Sequence, residues 1–267
     1  MPTSDPPQAS SGARTPAASP KVGEAVIDRA FAVLGAFDAD HRVLPLTRLA
    51  QRTGLPRSTA LRLARKLTEA GALERLDDGR YVIGLRLLEI ASLAPRGHGL
   101  RAVAMPYLED LFHVTGQHIV LAVRDGAEAM LVERLSAHNA SPALYRVGGR
   151  MPLARTGVGL VLLAHAPADV QEQVLGRFEP GHGCDGMRTA EDLRRVLAEV
   201  RRGGYAIGSQ AEPLPHTTAA APVRDADGVV VAAVSVVAPS VDFDVAVYVP
   251  AVRAAARAIS REMNDGR

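Results

Sequence analysis

The residues best equipped for chemistry in this 267-residue chain are cations. Between His41 and Thr68 stand Arg42, Arg48, Arg52, Arg57, Arg62, Arg65 and Lys66, seven positive side chains with no carboxylate among them. A cluster with no internal counter-charge calls for an external anion, and double-stranded DNA is the obvious one. Other groups offer different chemistry. Cys184 and His182 in HGCDG suggest a thiolate nucleophile or a metal site, and Asp125, Glu128 and Glu133 suggest acid–base work. These signals are weak, because no CxxC, HxH or HExxH spacing occurs and the three carboxylates sit on or beside a hairpin, where solvated polar faces are common. GVGLVL has two glycines but no third, and is better taken as helix packing than as a dinucleotide loop. No cofactor is called for.

Local rules place the cations on a helix hairpin. Leu46, Leu49 and Ala50 recur at helical spacing up to Thr53, and Gly54 supplies a turn. Pro56 suits the first turn of a second helix, predicted to run to about Ala70 and to end at Gly71. On that helix Ala60, Leu63, Ala64 and Leu67 share one face, while Ser58, Arg62, Arg65, Lys66 and Glu69 share the other. In helix-turn-helix proteins the second helix enters the major groove and its N-terminal residues meet base edges. Arg57, Ser58, Thr59 and Arg62 are therefore the base-edge candidates. Arg48, Arg52, Arg65 and Lys66 are assigned to phosphates. Residues 72–76 and 80–84 flank Asp77, Asp78 and Gly79 as a two-stranded wing, which puts Arg75 and Arg80 beside backbone or minor groove.

Composition fits two globular domains, with 47% hydrophobic and 22% charged residues. Residues 1–95 hold 13 Lys and Arg against 10 Asp and Glu, so the positive excess sits in the half that carries the hairpin. A single cysteine excludes an internal disulfide framework and fits a reducing cytoplasm. Residues 1–21 are expected to form a disordered tail without the apolar core of a signal peptide, and no apolar run is long enough for a membrane span.

The segments GEAVIDRAFAVLGAF and LTRLAQRTGLPRSTALRLARKLTEAGALERLDDGRYVIGLRLLEIA resemble the N-terminal domain of the isocitrate-lyase-regulator (IclR) family of bacterial transcription factors. The likeness continues through RVGGRMPLARTGVG, RRGGYAIG, AAAPVRDADGVVVAAVSVVAP and VRAAARAISREM, and covers roughly residues 22–264. It implies an α+β chain. A winged helix-turn-helix at 22–84 is joined by a linker at 85–99 to a GAF-like effector-binding and oligomerisation domain at 100–267. It further implies a homodimer or dimer of dimers on a palindromic operator, acting as repressor or activator. The first helix, expected over 22–37, and a linker helix over 85–93 help to pair DNA-binding domains in the family. Pro95, Gly97 and Gly99 stand where relatives often continue a longer helix.

In the second half the periodicity predicts helices over 100–115, 157–166, 168–178, 190–202 and 250–263. Strands are predicted over 118–123, 129–134, 143–147, 219–224 and 229–237. Carried over by motif, the effector pocket would be lined by Gly157, Val158, His216, Thr218, Ser235 and Val237. The helix start at Gly157 suits a carboxylate. Gly208 stands where many relatives carry an acid, Val237 replaces a second serine and Leu160 replaces a usual lysine, which points to a small organic effector with a less polar, aromatic or aliphatic body. Two alternatives remain at this stage: a C-terminal protein-interaction module without a ligand, and a small-molecule enzyme.

Overall fold

The structure, a computed structural model, describes residues 26–38, 40–94, 97, 99–136, 145–211 and 215–265. The expected tail at 1–21 lies outside the described residues. Two compact units divide between Ala94 and Pro95.

In the first unit α1 (Val26–Leu34), α2 (Leu46–Thr53) and α3 (Arg57–Glu69) precede the wing strands β1 (Leu73–Arg75) and β2 (Tyr81–Ile83) and then α4 (Leu85–Ser92). The first helix, expected over 22–37, ends at Leu34, where Gly35 and Ala36 turn the chain; residues 22–25 lie outside the description. Gly54 closes α2 at φ 68°, a left-handed conformation that glycine adopts without strain. Pro56 then precedes α3 as its N-cap, its lack of an N–H costing nothing there. Val33, Leu49, Leu55, Leu63 and Leu73 form the core. Leu44 and Tyr81 exchange backbone hydrogen bonds of 2.9 and 2.8 Å, which ties the loop before α2 to the wing.

The second unit is built on a six-stranded antiparallel sheet. Its strands are β3 (His118–Asp125), β4 (Glu128–Leu135), β5 (Arg150–Pro152), β6 (Ala206–Gln210), β7 (His216–Arg224) and β8 (Val230–Pro239), in the order β5-β4-β3-β8-β7-β6. Strand alternation sends Val120, Ala122, Ala220 and Ala233 to one face and Ile119, Leu121, Val234 and Val236 to the other. The first face packs against α6 (Gly157–Ala164) and α8 (Ala190–Gly203), with α7 (Ala168–Leu175) outside them. The second carries α5 (Leu100–Thr115) and α9 (Val245–Asp265). A capping box at Thr189 and Asp192 starts α8.

Two expectations need correction. No strand runs over 145–147, and residues 143–144 lie outside the description; the edge strand is Arg150–Pro152. Gly148 at φ 75° and the Gly149 N–H to Arg146 C=O bond turn the chain there, and the two glycines open the pairing with β4, the Gly148 N–H donating to the Leu131 carbonyl at 2.8 Å and the Leu131 N–H to the Gly149 carbonyl at 2.9 Å. The last helix begins at Val245, not at Pro250, which lies inside it. Asp244 accepts from the Ala246 N–H at 2.8 Å and starts the helix early, and the added turn buries Tyr248 and Val249.

Candidate functional site

On α3 the two faces separate as the periodicity requires. Ala60, Leu63 and Ala64 are buried, whereas Arg57, Ser58, Arg62, Arg65 and Lys66 are exposed and Thr59 is half-buried. Arg57, Arg62 and Arg65 have no anionic partner among the described residues. The cluster is nonetheless less naked than its sequence window. Lys66 pairs with Glu69 at 2.7 Å, and Arg48 donates to Gln51 at 2.8 Å. Arg52 points into its own unit, its Nε donating to the Ala36 carbonyl at 2.8 Å and its Nη2 to the Asp38 carboxylate at 2.5 Å. Arg52, assigned to phosphate from sequence, thus also clasps the chain after α1 to α2. Both counter-charges lie just outside the window: Glu69 reaches Lys66 from one turn along the same helix, whereas Asp38 is brought to Arg52 only by the fold. Burial pushes the Asp38 carboxyl upward, but hydrogen bonds from His41 and the Asp40 N–H and the Arg52 charge outweigh it and hold it below the ordinary value.

On the wing Arg80 is tied to Asp78 by a 2.7 Å pair. Arg75 lies over the turn, where a β-carbon on Gly79 would come within 3.3 Å of its guanidinium. Of the two, Arg75 is the one without an anionic partner among the described residues.

The second site lies between the sheet and the start of α6, in a cavity of about 830 Å³ that includes its open mouth. All six residues named from sequence line it: Gly157, Val158, His216, Thr218, Ser235 and Val237. The register explains why, since Thr218 faces Val237, Ala220 faces Ser235 and Ser235 faces Val120 across three strands. Thr156 caps α6 by accepting from the Gly159 N–H at 3.0 Å, which leaves the Gly157 and Val158 N–H groups at the positive end of the helix dipole. The Ser235 hydroxyl, in a residue 2% exposed, has no hydrogen-bond partner among the described residues.

Sequence reasoning missed several walls of this cavity. Val120, Leu131 and Met151 add apolar surface, and His118, Arg134, Tyr145, Arg155 and Gln210 add polar groups. Arg134 reaches the cavity because a β-bulge between Leu121 and Ala122 resets β4 against β3. Its Nη1 donates to the Tyr145 carbonyl. Arg155 precedes the Thr156 cap, and its carbonyl accepts from the Gln210 side chain. Neither arginine has a carboxylate partner among the described residues, and no Asp or Glu lies among the described lining. Gly208 is filled from behind: a β-carbon there would lie 2.7 Å from the Cys184 sulfur.

The catalytic alternatives find other uses. Burial, then the Asp185 charge, push the Cys184 thiol up to about 12, with Arg155 opposing, so it is held protonated. His182 faces Glu179 at 3.8 Å. Asp125 and Glu128 both pair with Arg150, and Glu133, expected on a solvated face, is 8% exposed and paired with Arg101.

Residues 26–77 match the sequence profile of the IclR helix-turn-helix domain, and residues 94–261 match that of the bacterial transcriptional regulator IclR C-terminal domain. The chain belongs to the IclR family. As an IclR protein it is a DNA-binding transcriptional regulator with an effector-binding C-terminal domain. It is similar to the transcriptional regulator XynR of Escherichia coli, 28% identical over 78% of this chain and 84% of the relative. A Pca operon regulatory protein of Acinetobacter baylyi is 28% identical over 80% of this chain and 78% of its own length. Among solved structures, an IclR homolog from Microbacterium hydrocarbonoxydans complexed with 4-hydroxybenzoate superposes with a TM-score of 0.83 at 36% identity, covering 89% of this chain and 98% of that one. The IclR of Thermotoga maritima gives 0.70 at 25% identity, over 89% and 98%. Among the described residues no helix is long and apolar enough to cross a membrane.

Proposed function

We propose that this IclR protein binds a palindromic operator as a homodimer, or as a dimer of dimers, in the cytoplasm, and that an aromatic carboxylic acid in the C-terminal cavity modulates that binding. Arg57, Ser58, Thr59 and Arg62 would read base edges, and Arg48, Arg65, Lys66 and Arg75 would hold phosphates. Pairing of two DNA-binding units is supported by apolar side chains left in solvent on α1 and α4, with Ile27 and Phe31 each 68% exposed and Leu85 74%. The domains would divide as expected from sequence, at 22–84, 85–99 and 100–267. The protein would act by binding and not by catalysis, which the protonated Cys184 thiol supports.

One observation carries the effector class: two arginines, Arg134 and Arg155, each a partly exposed residue without a carboxylate partner among the described residues, line an otherwise largely apolar cavity whose described lining holds no carboxylate. Guanidinium groups held only by backbone carbonyls can still take a carboxylate, and the apolar walls suit a flat apolar body. The 4-hydroxybenzoate held by the Microbacterium homolog is of that class. The test is selection of bound fragments from random duplex DNA, followed by titration of the selected operator with and without 4-hydroxybenzoate. A two-fold symmetric sequence whose affinity changes with the acid is expected. An asymmetric sequence would defeat the dimer, and an operator affinity indifferent to every aromatic acid would defeat the effector assignment.

A further inference from the structure

Glu133 is the one buried carboxylate among the described residues, and it does not line the cavity. A bulge decides where it points. Leu121 faces Glu133 and Ala122 faces Leu131, so Val132 is the extra residue of β4. Strict alternation from Leu131, a wall of the cavity, would send residue 133 into the cavity as well. The bulge instead turns Glu133 to the face of Leu121, where α5 packs, and gives the cavity position to Arg134 opposite Val120. Both oxygens of the Glu133 carboxylate are then committed. Oε2 accepts from Arg101 Nε, in the first turn of α5, and Oε1 accepts from the Arg134 backbone N–H at 2.8 Å.

One carboxylate thereby joins the main chain of a cavity arginine to the helix into which the chain passes after the boundary at Ala94 and Pro95. A largely desolvated ion pair adds little net stability, because the cost of desolvation offsets much of the Coulomb gain, and what it supplies is position. A ligand that engages the Arg134 guanidinium draws on β4 at the residue whose N–H holds Glu133, and the displacement has a continuous path to the first turn of α5. We propose that Glu133 and Arg101 are the positioning pair through which occupancy of the cavity alters operator binding. This rests on the effector-modulated operator binding proposed above and adds the residues that carry it.

The test uses the full-length protein, its operator selected from random duplex DNA, and 4-hydroxybenzoate as the probe ligand. Arg101→Ala and Glu133→Gln are compared with Arg101→Lys, which keeps the charge, and with Arg150→Ala, which removes the ion pairs to Asp125 and Glu128 at the other end of β4. The acid is expected to change the parent's operator affinity by about fivefold or more. Arg101→Ala and Glu133→Gln should bring that factor to about one while calorimetry shows the acid still bound. Arg101→Lys should keep part of it and Arg150→Ala all of it. A pair that only holds the fold together would lower the melting temperature without touching the factor, so full coupling in both variants would overturn the inference. Loss of acid binding in both would make the pair a support of the cavity wall, and would overturn it equally. A parent whose operator affinity ignores the acid would remove the aromatic-acid assignment and not the pair. Ligand-free operator affinities then decide, because a displaced start of α5 should change them about fivefold in Arg101→Ala and Glu133→Gln but not in Arg150→Ala. Parent-like affinity in both would overturn the pair. Should Glu133→Gln fail to fold, Arg101→Ala, at a partly exposed residue, carries the comparison.

Discussion

Gly157 approaches Thr218 so closely that a β-carbon on the glycine would lie 2.3 Å from the threonine hydroxyl. This contact seats α6 on β7 and puts its free N–H groups against the cavity. Gly157→Ala should therefore lift the start of α6, destabilise the second unit by roughly 1–3 kcal/mol and abolish thermal stabilisation by an aromatic acid. Melting with and without 4-hydroxybenzoate measures both. An alanine variant that melts and responds like the parent would show that the helix has room to spare.

Arg52 and the Asp38 carboxylate make an equally specific pair, and it separates folding from DNA contact. Arg52→Ala removes one hydrogen bond to the Ala36 carbonyl and one partly exposed ion pair, worth about 1–2 kcal/mol together. Denaturant titration should show that loss, while the salt slope of DNA binding stays at the parent value. Because Asp38 is held below its ordinary value of 3.8, the stabilisation is present above that pH and fades as pH falls through the lower folded value. The difference between variant and parent should shrink in acid. A reduced salt slope with unchanged stability would return Arg52 to the phosphate contacts.

What the chain revealed in advance follows from the range of the forces involved. The α3 faces, the wing and the limits of α5 depend on local periodicity and turn residues, and they are legible in LTRLAQRTGLPRSTALRLARK and its neighbours. The six motif-derived cavity residues also converge, because strand alternation puts positions 218, 235 and 237 on one face. Arg134 and Arg155 were not legible. One depends on a bulge opposite Leu121, the other on a loop docking against Gln210, and both are tertiary events. The Asp38 counter-charge to Arg52, 14 residues away, escaped for the same reason, as did Glu133, whose partner Arg101 is 32 residues away.

Cys184 gives a prediction that depends on burial alone. With the thiol 4% exposed and its pKa near 12, a disulfide reagent should leave it untouched at pH 8 in the native protein and label it fully in denaturant. The raised folded value also fixes a sign. Stability from the neutral thiol is complete below its ordinary value of 9.0 and falls as pH rises towards about 12. Cys184→Ala should flatten that alkaline decline. Rapid native labelling at pH 8 would mean that the loop opens readily.

Arg62 and Lys66 lie one turn apart on α3, both exposed, yet only Lys66 has a carboxylate partner, Glu69. An unpaired guanidinium on the first half of the recognition helix is free to take a guanine edge in two hydrogen bonds, whereas an ammonium further along acts as a point charge. Arg62→Ala should cost roughly 1–3 kcal/mol on the selected operator and relax base preference at one position per half-site. Lys66→Ala should weaken operator and random DNA alike and lower the salt slope, by less than one released ion because Glu69 already neutralises part of its charge. Binding isotherms on both DNAs at several salt concentrations distinguish the two behaviours. If the two variants lose affinity in the same proportion on operator and random DNA, α3 does not divide into a reading half and a phosphate-holding half.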